Sequence, residues 1–363
     1  MRTTIRNVIA GFIVSTTLSV AAQNPQSSAN PRNVVQATPQ GIAPPQTQQP
    51  GTAPKTASPT SPQAEKPPQP MQMPPSGGVI KKTVGFLTVS YQDGNHIATI
   101  YGTGFFVFYE EKRLGENQGF FYLVTNRHMA EPRSNGQPAR VVRASVRLNT
   151  KNEVEGVQSA EVTLPLGPNF HWYFPEDDAV DLAVIPVLPD PRVLDVVPFP
   201  VSMFATKDVV KEMRIAEGDS VLFAGFFYQL PGQKKIEPIV RQGILAMMPD
   251  ENLTTTLGKP GHLYLADVHV FGGNSGSPLF VNIGGMRGNT ITAVGFPFRL
   301  LGVVSGYFYE AQDFSFQVAT TLSGKANANS GISMIVPADE LKLLLDLPEL
   351  QAGRDAAVAN RPK

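Results

Sequence analysis

Gly272-Gly273-Asn274-Ser275-Gly276-Ser277-Pro278-Leu279 is a serine held in a tight glycine-rich turn directly ahead of an apolar run. Two upstream stretches answer to it. Leu123-Val124-Thr125-Asn126-Arg127-His128-Met129 leads an apolar strand straight into a histidine, and Val180-Asp181-Leu182-Ala183-Val184-Ile185 sets an aspartate at the mouth of a buried strand. A serine hydroxyl is a poor nucleophile at neutral pH and needs an adjacent base. A neutral imidazole is such a base when a carboxylate fixes its tautomer and stabilises the imidazolium that forms. Glycines around the serine permit positive φ and close approach of a carbonyl. The Gly273 and Ser275 N–H groups, with Asn274 between them, are spaced to form an oxyanion-binding pair. Asp177 and Asp178 compete with Asp181 for the acid role, but only Asp181 directly precedes the apolar strand.

The chain order His, Asp, Ser excludes two rivals. An α/β-hydrolase runs Ser, acid, His, with its serine in G-x-S-x-G between strand and helix. Here Ser277 replaces the second Gly and Pro278 blocks an immediate helix. The subtilisin-like order Asp, His, Ser fails as well.

At these residues the sequence resembles the trypsin-like (chymotrypsin-fold) serine peptidases, and most of all their cysteine-free bacterial HtrA/Deg-type branch. Thr125-Asn126-Arg127-His128 is similar to that branch's T-N-x-H, Asp181-Leu182-Ala183-Val184 to its D-[IL]-A-[VL], and Gly273-Asn274-Ser275-Gly276 to its G-N-S-G. Tyr101-Gly102-Thr103-Gly104-Phe105-Phe106-Val107 resembles the strand before the histidine. Leu301-Gly302-Val303-Val304-Ser305-Gly306 resembles the strand lining the specificity cleft, and Gly331–Pro337 the closing segment. The resemblance implies an all-β fold of two six-stranded antiparallel β-barrels with a C-terminal helix. It implies a serine endopeptidase in which His128, Asp181 and Ser275 are catalytic, Gly273 and Ser275 form the oxyanion hole, and Ser305 hydrogen-bonds the aspartate. A protein or peptide substrate follows, and no cofactor or metal is required. His269, six residues before Ser275, falls at the floor of the primary specificity pocket by the same resemblance; packing into the barrel is the favoured alternative.

The departures set further expectations. Ser277 is small enough to be tolerated in place of the second Gly. Asn274 cannot form the salt bridge to a new N-terminus by which digestive zymogens activate. About twenty residues between Leu279 and Leu301 imply an elaborated hairpin. The chain after the closing helix is too short for the PDZ domain that many of this branch carry, so a peptide-activated quality-control role is not expected. A metal set of Asp267, His269 and His262 is conceivable but disfavoured, and His96 and His171 read as ordinary structural residues. A catalytically inactive module used for binding, and an esterase, are the alternative functions.

Outside the peptidase-like part the chain changes character. Residues 1–22 read as an export signal: a basic start through Arg6, an uncharged apolar stretch from Val8 to Val20, and small residues at Ala21-Ala22. Retention as a membrane anchor is the alternative, but the stretch is shorter than the ~20 residues of a spanning helix. Residues 23–78 hold 14 of the 33 prolines, no aromatic residue and four charges, a composition that stays disordered as a linker. The peptidase-like domain is expected over 79–350, with a tail over 351–363. An exported, periplasmic or secreted protein follows, with no stable membrane insertion once the signal is removed.

Composition agrees. Thirty Lys+Arg balance thirty Asp+Glu in 363 residues, so there is no bulk basic character of the kind that drives nucleic-acid binding. There is no cysteine, which excludes disulfides, thiolate zinc sites and a cysteine nucleophile. From Val79 onward, short runs rich in β-branched and aromatic residues alternate with Gly-, Pro- and Asn-rich turns, the pattern of strands. One helical pattern, from Pro337 through Leu347, closes the chain.

Overall fold

The computed structural model describes Leu18–Ser19 and residues 76–360, apart from residues 155, 288–289, 293–296 and 318–320. The rest of the expected signal segment, and the expected linker up to residue 75, lie outside the described residues.

Twelve strands form two antiparallel units of six. The N-terminal unit comprises β1 (Val84–Asp93), β2 (His96–Glu110), β3 (Gly119–Thr125), β4 (Val141–Val154), β5 (Val157–Leu164) and β6 (Ala183–Pro186). Its hydrogen-bonded order is β5-β4-β1-β2-β3-β6, with Leu18–Ser19 beside β5. The C-terminal unit comprises β7 (Ser220–Gly225), β8 (Ile239–Met247), β9 (Tyr264–Asp267), β10 (Pro278–Asn282), β11 (Phe298–Gln317) and β12 (Thr321–Pro337). It closes as a barrel in the order β7-β8-β9-β12-β11-β10. The expected all-β fold is what the chain adopts, but of the two expected six-stranded barrels only the C-terminal one closes. The N-terminal unit stays open at the β5/β6 seam, where Tyr173 exchanges two backbone hydrogen bonds with Val184 of the four-residue β6. The elaborated hairpin between Leu279 and Leu301 is present as paired strands Gly285–Arg287 and Thr290–Thr292.

Strand periodicity explains how three cores arise from two units. Successive side chains alternate between faces. Phe106 and Leu123 point into the N-terminal unit with Leu87, Val89, Val146 and Ile185. Their neighbours Phe105, Val107, Tyr122 and Val124 point the other way. There they meet Phe280, Leu300 and Val303 of the second unit, and Leu341 and Leu344 of the first C-terminal helix. Val221, Phe223, Leu245, Leu279 and Ile335 fill the C-terminal barrel. Each of these fully buried side chains contributes roughly 1.5–3 kcal/mol. The seam between the units is thus as deeply buried as their interiors.

Two helices close the chain, α1 (Ala338–Leu345) and α2 (Pro348–Ala359). The tail expected from residue 351 is instead helical through Ala359. Pro348 at the first helical position and Glu349 in the first turn suit a helix start. Leu350, Arg354 and Ala357, spaced i, i+4, i+7, form one buried face. The eight-residue strand β5, Val157-Gln158-Ser159-Ala160-Glu161-Val162-Thr163-Leu164, also escapes a hydrophobicity reading, because small and polar residues dilute its buried Ala160, Val162 and Leu164.

Candidate active site

The register of β3 against β6 builds one half of the site. Thr125 pairs with Ala183 in antiparallel sense, so the chain leaving β3 runs beside the chain entering β6. This brings His128, on the short helical turn Arg127–Ala130, against Asp181. His128 Nδ1 lies 2.7 Å from Asp181 Oδ2, and the His128 backbone N–H donates to Oδ1 at 3.0 Å. Asn126 is fully buried and its side chain donates to the Asp181 carbonyl at 2.9 Å, tying the two chain segments together.

Asp181 is completely enclosed, whereas the His128 side chain keeps a third of its surface open. Two hydroxyls crowd on Oδ2: Ser305 Oγ donates at 2.5 Å and Thr256 Oγ1 at 2.9 Å, and the two oxygens are 2.7 Å apart. Each hydroxyl has one proton, so the three contacts cannot all be hydrogen bonds at once. Burial alone would raise the carboxyl pKa. The His128 charge and hydrogen bond, helped by Ser305 and the His128 backbone, outweigh it and hold Asp181 below its ordinary value. For His128, burial lowers the pKa, but the Asp181 charge and hydrogen bond reverse that and leave it raised. The competing carboxylates are engaged elsewhere. Asp177 accepts the Ala179 N–H at 2.8 Å, and Asp178 pairs with Lys259.

The second half of the site is the turn between β9 and β10. Gly273 and Gly276 have φ of +96° and +84°, so each must be glycine for conformational reasons alone. Space agrees: a β-carbon at Gly273 would stand 2.5 Å from the Phe226 carbonyl oxygen, and one at Gly276 would collide with the Thr103 carbonyl. Asn274 is buried and braces the turn, its side chain donating to Phe226 O at 2.9 Å and accepting from Phe271 N–H at 2.7 Å. The N–H groups of Asn274, Gly276 and Ser277 are all committed to carbonyls. Among the described residues those of Gly273 and Ser275 have no hydrogen-bond partner.

Thr103 of β2 joins the halves. Its N–H donates to the Ser275 carbonyl at 2.8 Å, and its hydroxyl donates to Gly273 O at 2.8 Å and accepts from Phe226 N–H at 3.1 Å. Thr125 Oγ1 donates to the Thr103 carbonyl at 2.9 Å. Gly102 sits between Ser275 and Met129, the residue after His128: a β-carbon there would lie 3.2 Å from the Ser275 carbonyl and 2.8 Å from Met129 Cε. The half-buried Ser275 is therefore beside the His128 turn, although no hydrogen bond joins its Oγ to the imidazole. Catalytic contacts of this kind are often long without substrate and tighten on binding.

His269 does not pack into the barrel. Val268 and Val270 take the interior positions, so alternation turns His269 to solvent, where its ring lies over the bare backbone of Gly331. Asp267 is likewise exposed, and no cluster of three His, Asp or Glu suited to a metal occurs among the described residues. Thr256 and the clamping role of Thr103 were invisible to motif reading. The only signals were the run Thr254-Thr255-Thr256 and a lone polar residue inside Gly102-Thr103-Gly104-Phe105. Tyr101 and Tyr228 stack parallel within 7° at 6.5 Å, with Tyr228 against Gly272, and give the site an aromatic wall.

Ser277 is fully enclosed and its hydroxyl has no partner. Room for it exists because Gly225, ending β7, has no β-carbon; one added there would collide with Ser277 Oγ. An unpaired buried hydroxyl costs about 1–3 kcal/mol. Ser277→Ala is therefore expected to raise stability by about 1 kcal/mol, read from the urea midpoint. Gly225→Ala is expected to destabilise unless combined with Ser277→Gly. Loss of stability in Ser277→Ala, or no rescue in the double variant, contradicts this packing.

The sequence model of the trypsin-like peptidase domain matches residues 102–288, just over half of the chain, a span that contains His128, Asp181 and Ser275. No curated protein matches the chain in sequence. Among solved structures, the HtrA-type protease AlgW with a tripeptide is similar at 15% identity and a TM-score of 0.41, over 77% of this chain and 64% of that one. A variant of the same protease with a decapeptide is similar at 14% identity and a TM-score of 0.41, over 76% and 64%. The chain thus spans less than two thirds of the length of those proteins. On the match over residues 102–288, this chain belongs to the trypsin-like peptidase domain family.

Proposed function

We propose that the protein is a serine endopeptidase, exported by its N-terminal segment, that acts through Ser275, His128 and Asp181. The observation that carries this reading is the enclosed Asp181 carboxylate bonded to His128 Nδ1, beside a serine turn with two uncommitted N–H groups. In the proposed cycle Asp181 holds the Nδ1 proton in place, so Nε2 carries the lone pair. His128 takes the Ser275 proton as Oγ attacks the peptide carbonyl. The oxyanion is received by the Gly273 and Ser275 N–H groups. The imidazolium then gives its proton to the leaving amine, and water, activated by the same imidazole, hydrolyses the acyl-enzyme. Ser305 and Thr256 keep Asp181 ionised by donating to Oδ2. None of these steps calls on a cofactor.

The Met1–Ala22 stretch supports export, since its basic, apolar and small-residue blocks follow in the order of a cleaved signal. No helix among the described residues is long and apolar enough to cross a membrane.

A fluorophosphonate probe tests the reading. Wild type is expected to label stoichiometrically, Ser275→Ala not at all, and a peptide library is expected to be cleaved only by wild type. A folded wild type that never labels would indicate a binding module on the same fold. Turnover of small esters but of no peptide would indicate an esterase.

A further inference from the structure

On the side of the N-terminal unit that receives the C-terminal helices lies a cavity of about 310 Å³, lined by Tyr109, Glu111, Arg113, Lys342, Asp346, Gln351 and Arg354. We propose that it binds a small carboxylate anion, gripped by Arg354.

Arg354 is only 4 % exposed, a rare degree of burial for an arginine. Its hydrogen-bonding partners are neutral. Nη1 donates to the Tyr122 hydroxyl at 3.0 Å and to the Leu345 carbonyl at 2.8 Å. Its guanidinium carbon lies 4.1 Å from the centre of the Tyr109 ring. No carboxylate among the described residues reaches ion-pair distance of it. The neighbouring acids are already engaged. Asp346 accepts from the Tyr109 hydroxyl at 2.9 Å and pairs with Lys342. Glu111 and Asp355 both pair with Arg113, each at 2.7 Å. A buried charge with no ion-paired partner carries a desolvation penalty of several kcal/mol, which the ring face, two neutral acceptors and the Glu111 charge, beyond ion-pair distance, offset only in part.

The free groups define the ligand. Nε and Nη2 of Arg354 have no hydrogen-bond partner, yet neither is among the enclosed unpartnered atoms, so they open onto the cavity. Two N–H groups on one edge of a guanidinium match the two oxygens of a carboxylate. The volume lies at the lower end of ligand pockets, which suits a small organic acid rather than a nucleotide. Gln351, one turn before Arg354 on α2 and without a hydrogen bond of its own side chain, also lines the opening.

The test is a thermal-shift and calorimetric titration of the full chain with sodium acetate and with inorganic phosphate, at an ionic strength held constant by chloride. Acetate is expected to raise Tm saturably, as a ligand of the native state alone does. Arg354→Gln is expected to weaken acetate binding roughly 30-fold or more, the cost of losing one partner of a buried charge pair. Because Arg354→Gln can compromise folding, Gln351→Glu is the second variant. It supplies a carboxylate at i, i+3 to Arg354, and is expected to raise Tm without ligand and to abolish the acetate effect. No saturable acetate response in wild type overturns the proposal. So does an undiminished response in Gln351→Glu, or tighter binding of phosphate than of acetate.

Discussion

Ser275→Ala is expected to lower kcat by about 10⁶ while leaving stability within about 0.5 kcal/mol of wild type. The two halves of that statement have separate causes. In the proposed cycle the hydroxyl oxygen forms the acyl bond, so without it only binding and oxyanion stabilisation remain, worth about 10³–10⁴ over the reaction in water. The fold hardly registers the change because Ser275 is half-buried and its Oγ holds no hydrogen bond, while its carbonyl, which Thr103 uses, is retained. The sharper consequence is non-additivity. In the proposed cycle His128 moves protons for Ser275, so adding His128→Ala to Ser275→Ala is expected to change kcat little further. Steady-state kinetics of the two single variants and the double variant, with denaturant midpoints for each, check this. Multiplicative losses in the double variant would break the unit into independent parts.

Asp181→Asn is expected to lower kcat by about 10⁴. In wild type, Oδ2 accepts from His128 Nδ1, Ser305 and Thr256, and Oδ1 accepts from the His128 N–H. An amide offers one oxygen and one NH2. If the oxygen keeps the backbone N–H, the NH2 faces Nδ1 and forces the proton onto Nε2, where the base should be. The pH profile is expected to move as well. The proposed cycle needs neutral His128, whose pKa stands above the ordinary value of about 6.5 because of Asp181. With the charge removed, burial dominates, so the acid limb of kcat/KM is expected to shift to lower pH.

Stability carries its own sign. The depressed pKa of Asp181 gives stability that is present above the ordinary carboxylate value and lost as pH falls through the native one. The raised pKa of His128 gives stability that is present below the ordinary imidazole value and lost as pH rises through the native one. The excess stability of wild type over Asp181→Asn is therefore expected to peak between about pH 4 and pH 6.5. A pH-independent difference between the two proteins would mean that the pair is not ionised as described.

What the sequence disclosed about this site follows from chemistry that is local in the chain. His128, Asp181 and the Ser275 turn each stand in a short motif whose backbone demands, a strand end or a positive-φ glycine, are written in the same few residues. Ser305 was legible only through resemblance, since a serine in an apolar strand has no signature of its own. Thr256 was not legible. It belongs to an ordinary turn and gains meaning only because the barrel folds it onto Asp181. The same holds for Gly225, whose missing β-carbon makes space for a serine 52 residues away. Strand β5 and helix α2 hid for a different reason. Each buries one face in part through alanine, or through the stem of an arginine, so their apolar pattern is faint, and in α2 Gly353 interrupts the helix-favouring residues that follow Pro348 and Glu349.

Thr103 sits in one unit and clasps the turn of the other, so His128 and Asp181 arrive with residues up to 186 while Ser275 arrives only with the second unit. On the proposed mechanism neither half, expressed alone, would cut a peptide. Hydrolysis would then be a readout of complete assembly, and a newly made molecule would stay harmless to its neighbours until its last barrel had closed.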